Sequence, residues 1–151
     1  MKHRMAIALL SLVGFFVSLY LWLWKVGFLG SLACGDGGCE TVQLSEFSSF
    51  LGVPVALYGM VGYVALAVVS VAGLQPSWVE RRGPTSLLAV VASVGVAFTA
   101  YLTYLEAWVI HAWCRWCVVS AVIIAAILVT AIAGLASAPR TPSPEPRTPS
   151  T

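Results

Sequence analysis

The four cysteines of this 151-residue chain fall in two pairs. Cys34 and Cys39 bracket a glycine-rich stretch, and Cys114 and Cys117 stand at the mouth of the last apolar run. A dithiol gives up two electrons when it becomes a disulfide, and two pairs brought together by folding can pass those electrons on through mixed disulfides. The chain reads as a relay at a bilayer surface.

The pairs differ in design. Cys114-Arg115-Trp116-Cys117 lies where a helix is expected to begin, and the unpaired N–H groups and positive dipole end there stabilise a thiolate. Arg115 adds a cation, so at least one of these thiols is expected to ionise more readily than an ordinary cysteine. Cys114 is expected to be the more exposed and Cys117 the deeper. In Cys34-Gly35-Asp36-Gly37-Gly38-Cys39 the three glycines let the backbone bend to disulfide geometry and then move. A mobile pair suits a shuttle, and a helix-borne pair suits a fixed reaction centre.

Two other readings compete with a relay. Stapling disulfides are the ordinary use of cysteines in a small outer loop, but rings this short close little chain entropy and stabilise weakly. A four-cysteine zinc site is only loosely compatible with the spacing, and no metal is expected.

Positioning these thiols calls for helices in a membrane. The chain is 60% hydrophobic and 9% charged, with a mean hydropathy of +0.93, unlike ordinary soluble domains. A helix crosses a hydrocarbon core about 30 Å thick with roughly 20 apolar residues, because its backbone groups bond internally. Residues 5–26, 53–74, 87–110 and 118–136 qualify, and none has a charge in its central part. The runs are continuous, and too long for barrel strands of about ten residues. The expected fold is all-α, an integral membrane bundle of four transmembrane helices.

Six of the eight basic residues, Lys2, Arg4, Arg81, Arg82, Arg140 and Arg147, share one side if the chain crosses four times. Lys25 and Arg115 are then opposite. Lys and Arg are retained in the cytoplasm, so both termini are expected there and both cysteine pairs outside, where disulfides persist. The charge argument uses no cysteine, yet it places all four in the oxidising compartment. The lipid bilayer is the implied partner surface, and no nucleic acid is expected.

Lys2 and Arg4 before an apolar run look like a secretory signal, and Ser31-Leu32-Ala33-Cys34 faintly resembles a lipoprotein box. The run is longer than a signal core of roughly 7 to 15 residues, and Leu32 stands one position too close to Cys34. Neither reading is adopted. Residues 1–136 are expected to form the membrane domain. Residues 137–151, rich in Pro, Ser and Thr, are expected to be a disordered cytoplasmic tail. In the outer loop, Leu44, Phe47 and Leu51 recur at helical spacing, which predicts a short helix on the membrane surface.

Several segments together resemble the vitamin K epoxide reductase family, in its bacterial disulfide-forming branch without a fused thioredoxin domain. They are Cys34 to Cys39 with Gly37-Gly38 between, Val42, Ser45, Gly52-Val53-Pro54-Val55-Ala56, Tyr101-Leu102-Thr103-Tyr104-Leu105-Glu106, and Cys114-Arg115-Trp116-Cys117-Val118-Val119-Ser120-Ala121. The resemblance implies a helical bundle around a quinone of ubiquinone or menaquinone type, in a bacterial inner membrane. Electrons would enter from a separate extracytoplasmic thioredoxin-like or DsbA-like protein and leave to the quinone. By position, Cys34 would exchange with that partner, Cys39 would pass electrons to Cys114, and Cys117 would reduce the quinone. Animal members carry a tyrosine four residues after the second cysteine of the CxxC; here that residue is Ala121, so plain quinone reduction is preferred over epoxide reduction.

Trp108, Trp113 and Trp116 cluster at the outer end of the third and fourth helices, where they could border a quinone ring. An interfacial aromatic belt is the preferred reading for Trp108 and Trp113, and Trp116, between the two cysteines, is kept as a quinone-binding candidate with Cys117. Glu106 and His111 are read as hydrated interfacial groups, with proton relay the alternative role. The competing functions are a membrane scaffold or binder with structural disulfides, and a quinone or epoxide reductase working on another substrate. Spacing leaves the direction of electron flow open, since direction depends on potentials.

Overall fold

The computed structural model describes residues 2–35, 37–78 and 81–137. Helix α1 spans Lys2–Lys25, and the loop after it carries the short helix α2, Gly38–Leu44. Helices α3 (Val55–Ala72), α4 (Gly83–Leu105) and α5 (Arg115–Ala136) follow. The π-helical turn Glu106–Ile110 prolongs α4. Four of these helices are long and apolar enough to cross a bilayer, so the all-α membrane bundle expected from the sequence is the fold observed.

Within the bundle α1 packs against α3 and α5, and α5 against α4, while α3 and α4 touch more sparingly. The close approaches occur at glycines. The Tyr63 ring of α3 lies directly on Gly14 of α1, Ser18 Oγ faces Gly59, and Ile124 of α5 occupies the space beside Gly95 of α4. Lipid outside is as apolar as the side chains within, so this intimate van der Waals contact holds the helices together. Ile7, Leu66, Leu88 and Ile127 form the buried centre, whereas Leu9, Phe16, Val61, Val94 and Val129 remain on the outer surface, as a lipid-facing bundle requires.

At one end of the bundle Arg4 does more than its expected work as an orienting charge. It is buried. Its guanidinium donates to the carbonyls of Gly73, Trp78 and Arg81 and to Thr85 Oγ1, and Ser70 donates to the Arg4 carbonyl. These bonds lock α1 to the turn between α3 and α4 and satisfy a charge that would otherwise be costly to bury.

The opposite end holds the loop from α1 to α3. After α2 come a 3-10 turn, Glu46–Ser48, and a small antiparallel hairpin, β1 (Ser49–Phe50) with β2 (Val53–Pro54), pairing Ser49 with Pro54 and Phe50 with Val53. A loop helix is therefore present, but one segment earlier than Leu44, Phe47 and Leu51 had indicated. Ser45 takes an extended conformation, and its hydroxyl donates to the Val42 carbonyl at 2.6 Å, which ends α2. Leu51 and Gly52 then adopt left-handed φ values of 53° and 80°, a tight-hairpin geometry incompatible with a continuing helix. Lys25 at the end of α1 clamps this loop by donating to the Gln43 carbonyl and to Ser48 Oγ. The tail expected from residue 137 onward lies, but for Ser137, outside the described residues.

Candidate redox site

Both cysteine pairs sit at the loop end of the bundle. Cys39 is in the first turn of α2, and Cys34 precedes it across a turn in which Gly35 and Gly37 have φ of 73° and 68°. The two are joined as a disulfide with Cα atoms 6.0 Å apart. The sequence placed these sulfurs within reach of a water-soluble protein, but Cys34 is only 4% exposed and Cys39 is fully buried. The covering comes from the preceding segment. Tyr20 Oη accepts the Ala33 N–H at 3.0 Å, which draws Leu32 into an apolar cluster with Leu21, Cys34, Cys39, Val42, Ala56 and Cys114.

Cys39 and Cys114 thus share one apolar environment, and Gly38 shows how closely their carriers meet. A Cβ at residue 38 would lie 2.6 Å from the Trp113 carbonyl oxygen. The expected use of this glycine was mobility; the observed use is to let two backbones nearly touch.

Cys114 is the N-cap of α5, and its sulfur accepts the Cys117 N–H at 3.4 Å. The Cys114 N–H in turn donates to Glu106 Oε2 at 3.1 Å. This bond across eight residues arises because α4 loosens into the π-helical turn at Glu106 and ends at His111, whose φ of 55° reverses the chain. Hydrogen bonding with the Cys117 side chain holds the Cys114 thiol below its ordinary pKa, against the opposing effects of burial and the Glu106 charge. Both thiols are free. Their exposure is the reverse of the expectation: Cys114 is fully buried and Cys117 partly open, since α2 covers the N-cap while Cys117 faces a cavity.

That cavity measures about 490 Å³, within the usual range for small-molecule sites of roughly 300 to 1,000 Å³. Tyr58, Gly62 and Tyr63 of α3 form one wall, and Val94, Phe98 and Leu102 of α4 form another. Tyr58 and Val94 are also exposed at the outer surface, so the cavity opens between α3 and α4, the pair that packs least closely. Three of its polar groups, Gln43, Glu106 and Cys117, meet at the loop end. Gln43 Nε2 donates to Cys117 Sγ at 3.9 Å. Deeper in, Tyr63 Oη donates to the Ser120 carbonyl at 2.9 Å and lies 2.9 Å from its hydroxyl.

Trp116 is not among the residues lining this cavity. It precedes Cys117 on a helix turning about 100° per residue, and its ring packs on Tyr20 of α1 at 5.1 Å between centroids. Trp108 and Trp113 are exposed, and Trp108 stacks on Tyr104 at 5.5 Å. Glu106, expected to be a hydrated interfacial group, is 3% exposed. Tyr63 and Ser120 had no chemical signature in the sequence. For Gln43 a faint signal existed, as a polar residue four positions after Cys39, one turn along the same helical face. Among the described residues no group of three or more metal-ligating side chains gathers.

An apolar cavity, open toward lipid and bordered by one sulfur of a dithiol whose partner disulfide lies in the adjoining cluster, has the shape and lining to take a hydrophobic ligand. Comparison with known families agrees: residues 5–132 match the model of the vitamin K epoxide reductase family. The chain therefore belongs to the vitamin K epoxide reductase family, a family of quinone-linked membrane oxidoreductases.

Proposed function

We propose that this protein passes electrons from a reduced extracytoplasmic thioredoxin-like protein to a membrane quinone, and so generates disulfides for secreted proteins. The observation that carries the reading is the continuity of the sulfurs: Cys34, Cys39 and Cys114 share one cluster, and Cys117 borders the cavity. In this reading the partner's thiolate attacks Cys34, Cys39 exchanges with Cys114, and Cys117 faces the quinone. Positively charged residues gather at the Arg4 end, which supports placing that end in the cytoplasm and the cysteine end outside.

The site suits a quinone. Its walls offer an apolar slot for the ring, the gap between α3 and α4 offers an exit for a lipid tail, and Gln43 offers an amide donor next to Cys117. When bound, the quinone supplies a two-electron acceptor, and a potential difference of about 30 mV per 1.4 kcal/mol drives the transfer. The chain's own contribution is positioning: the N-cap geometry favours the Cys114 thiolate that must attack its neighbour, and burial keeps water away from the exchanging sulfurs. Cys34 becomes accessible when the segment around Leu32 lifts from the cluster.

The test is reconstitution of the full chain in lipid nanodiscs with a reduced thioredoxin-like protein and a short-chain quinone. Stoichiometric partner oxidation with quinol formation is expected, as is a trapped Cys34 mixed disulfide in Cys39→Ala. No quinol formation with benzoquinone- or naphthoquinone-type acceptors would refute the assignment.

A further inference from the structure

A carboxylate buried at a membrane-helix end is costly, and Glu106 occupies the one place where that cost has a chemical use. Its carboxylate accepts the Cys114 N–H, at the N-cap of the helix whose first turn carries Cys117. It also lines the cavity, together with Gln43 and Cys117. It therefore stands between the capped end of the dithiol helix and the space that the acceptor enters. The backbone delivers it there by a local irregularity: α4 widens into a π-helical turn beginning at Glu106, a distortion often found at functional sites. The Ala112 N–H closes back on the Glu106 carbonyl at 3.2 Å, which fixes the residue where the helix ends.

We propose that Glu106 is a catalytic residue, the general base that takes the proton from Cys117 and then, as general acid, gives it to the nearer quinone oxygen. The inference rests on the quinone-reducing function proposed above. The balance is simple. Forming the Cys114–Cys117 disulfide breaks two S–H bonds and releases two electrons and two protons. Both electrons reduce the quinone. Glu106 carries the Cys117 proton to one oxygen and returns to its carboxylate form. The Cys114 proton is lost to the outer solvent when its thiolate forms, before the sulfurs are closed off, and the other quinone oxygen takes one proton back from that solvent. A purely structural cap for the Cys114 N–H needs only an oxygen acceptor, which glutamine supplies equally well. Glutamine cannot shuttle a proton.

That difference makes the test. In nanodiscs, with a dithiol-reduced chain and a short-chain quinone, Glu106→Gln is expected to lower kcat by about 100-fold or more, the usual contribution of general acid–base catalysis, with little change in KM. Glu106→Asp, which keeps the carboxyl, is expected to recover part of the loss. Redox-difference infrared spectra of the wild type are expected to show a buried carboxyl changing protonation during turnover, and this reading holds even if Glu106→Gln does not fold. An undiminished kcat in Glu106→Gln, or a silent carboxyl region in the wild type, overturns the role of Glu106. A wild type that reduces no quinone overturns the underlying function instead, so the two failures are distinguishable.

Discussion

The Cys34–Cys39 pair hangs from a turn shaped by glycines, whereas the Cys114–Cys117 pair is built into the first turn of a membrane helix. Both are largely screened from solvent, yet for different reasons. The loop pair is covered by a segment that a few contacts hold down, chiefly Leu32 and the Tyr20 bond to Ala33. The helix pair is enclosed by the body of the bundle and communicates with lipid through a cavity. Similar burial thus has two origins: a short covering segment over the loop pair, and the wall of an apolar cavity beside the helix pair.

Removing the sulfur at the end of the relay should have the largest effect. Cys117→Ala is expected to abolish quinol formation, while the Cys34–Cys39 disulfide still exchanges with a reduced partner protein in a gel-shift assay. If quinol formation persisted, the division between the pairs would collapse.

The junction between the pairs comes next. Gly38→Val puts side-chain atoms against the Trp113 carbonyl and must push α2 away from Cys114. A displacement of about 1 Å at reacting groups costs on the order of 100-fold, so exchange between Cys39 and Cys114 should slow by roughly that factor. Quinone reduction by a small dithiol that reaches the inner pair directly should be spared. Equal loss in both assays would mean that Gly38 supports the fold as a whole rather than the contact.

A pH effect distinguishes the pairs more finely. The Cys114 thiol is held below its ordinary pKa by hydrogen bonding with Cys117. Its thiolate fraction therefore rises at lower pH than that of a free cysteine, and alkylation by a small membrane-permeant reagent should follow. In Cys117→Ala the bond is gone, and the alkylation profile of Cys114 should move to higher pH. An unmoved profile would assign the activation to the helix N-terminus alone.

The smallest expected effect is on stability. Tyr63→Phe removes the hydroxyl that donates to the Ser120 carbonyl and should cost about 1 kcal/mol, the typical worth of one such bond. A lowered thermal midpoint with intact exchange between the cysteine pairs would place this contact in the wall of the cavity rather than in the relay.

Much of this molecule was legible in its residues. Uninterrupted apolar runs with no central charge leave a helix as the only way to satisfy the backbone in lipid, and α1, α3, α4 and α5 lie within a few residues of the runs at 5–26, 53–74, 87–110 and 118–136. The N-terminal ends of α1, α4 and α5 begin earlier than the apolar runs because Lys2, Gly83 and Arg115 can continue a helix outside the hydrocarbon, whereas α3 starts two residues later because Val53 and Pro54 form β2. The cysteine pairs were likewise visible, since thiols in pairs have few uses. The loop was harder to read: a period of three or four residues among Leu44, Phe47 and Leu51 is too short to outweigh an extended Ser45 and a left-handed turn at Leu51 and Gly52.

What the sequence determined by itself is local: how often the chain crosses lipid, where its charges lie, and which residues can carry electrons. Tertiary structure alone decided which sulfur meets the cavity, why Gly38 is small, that Trp116 turns toward Tyr20, and that Glu106 lies under cover beside Cys117. The physical reason is that burial and contact belong to pairs of residues far apart in the chain, and no single segment encodes the neighbour that packing will bring against it.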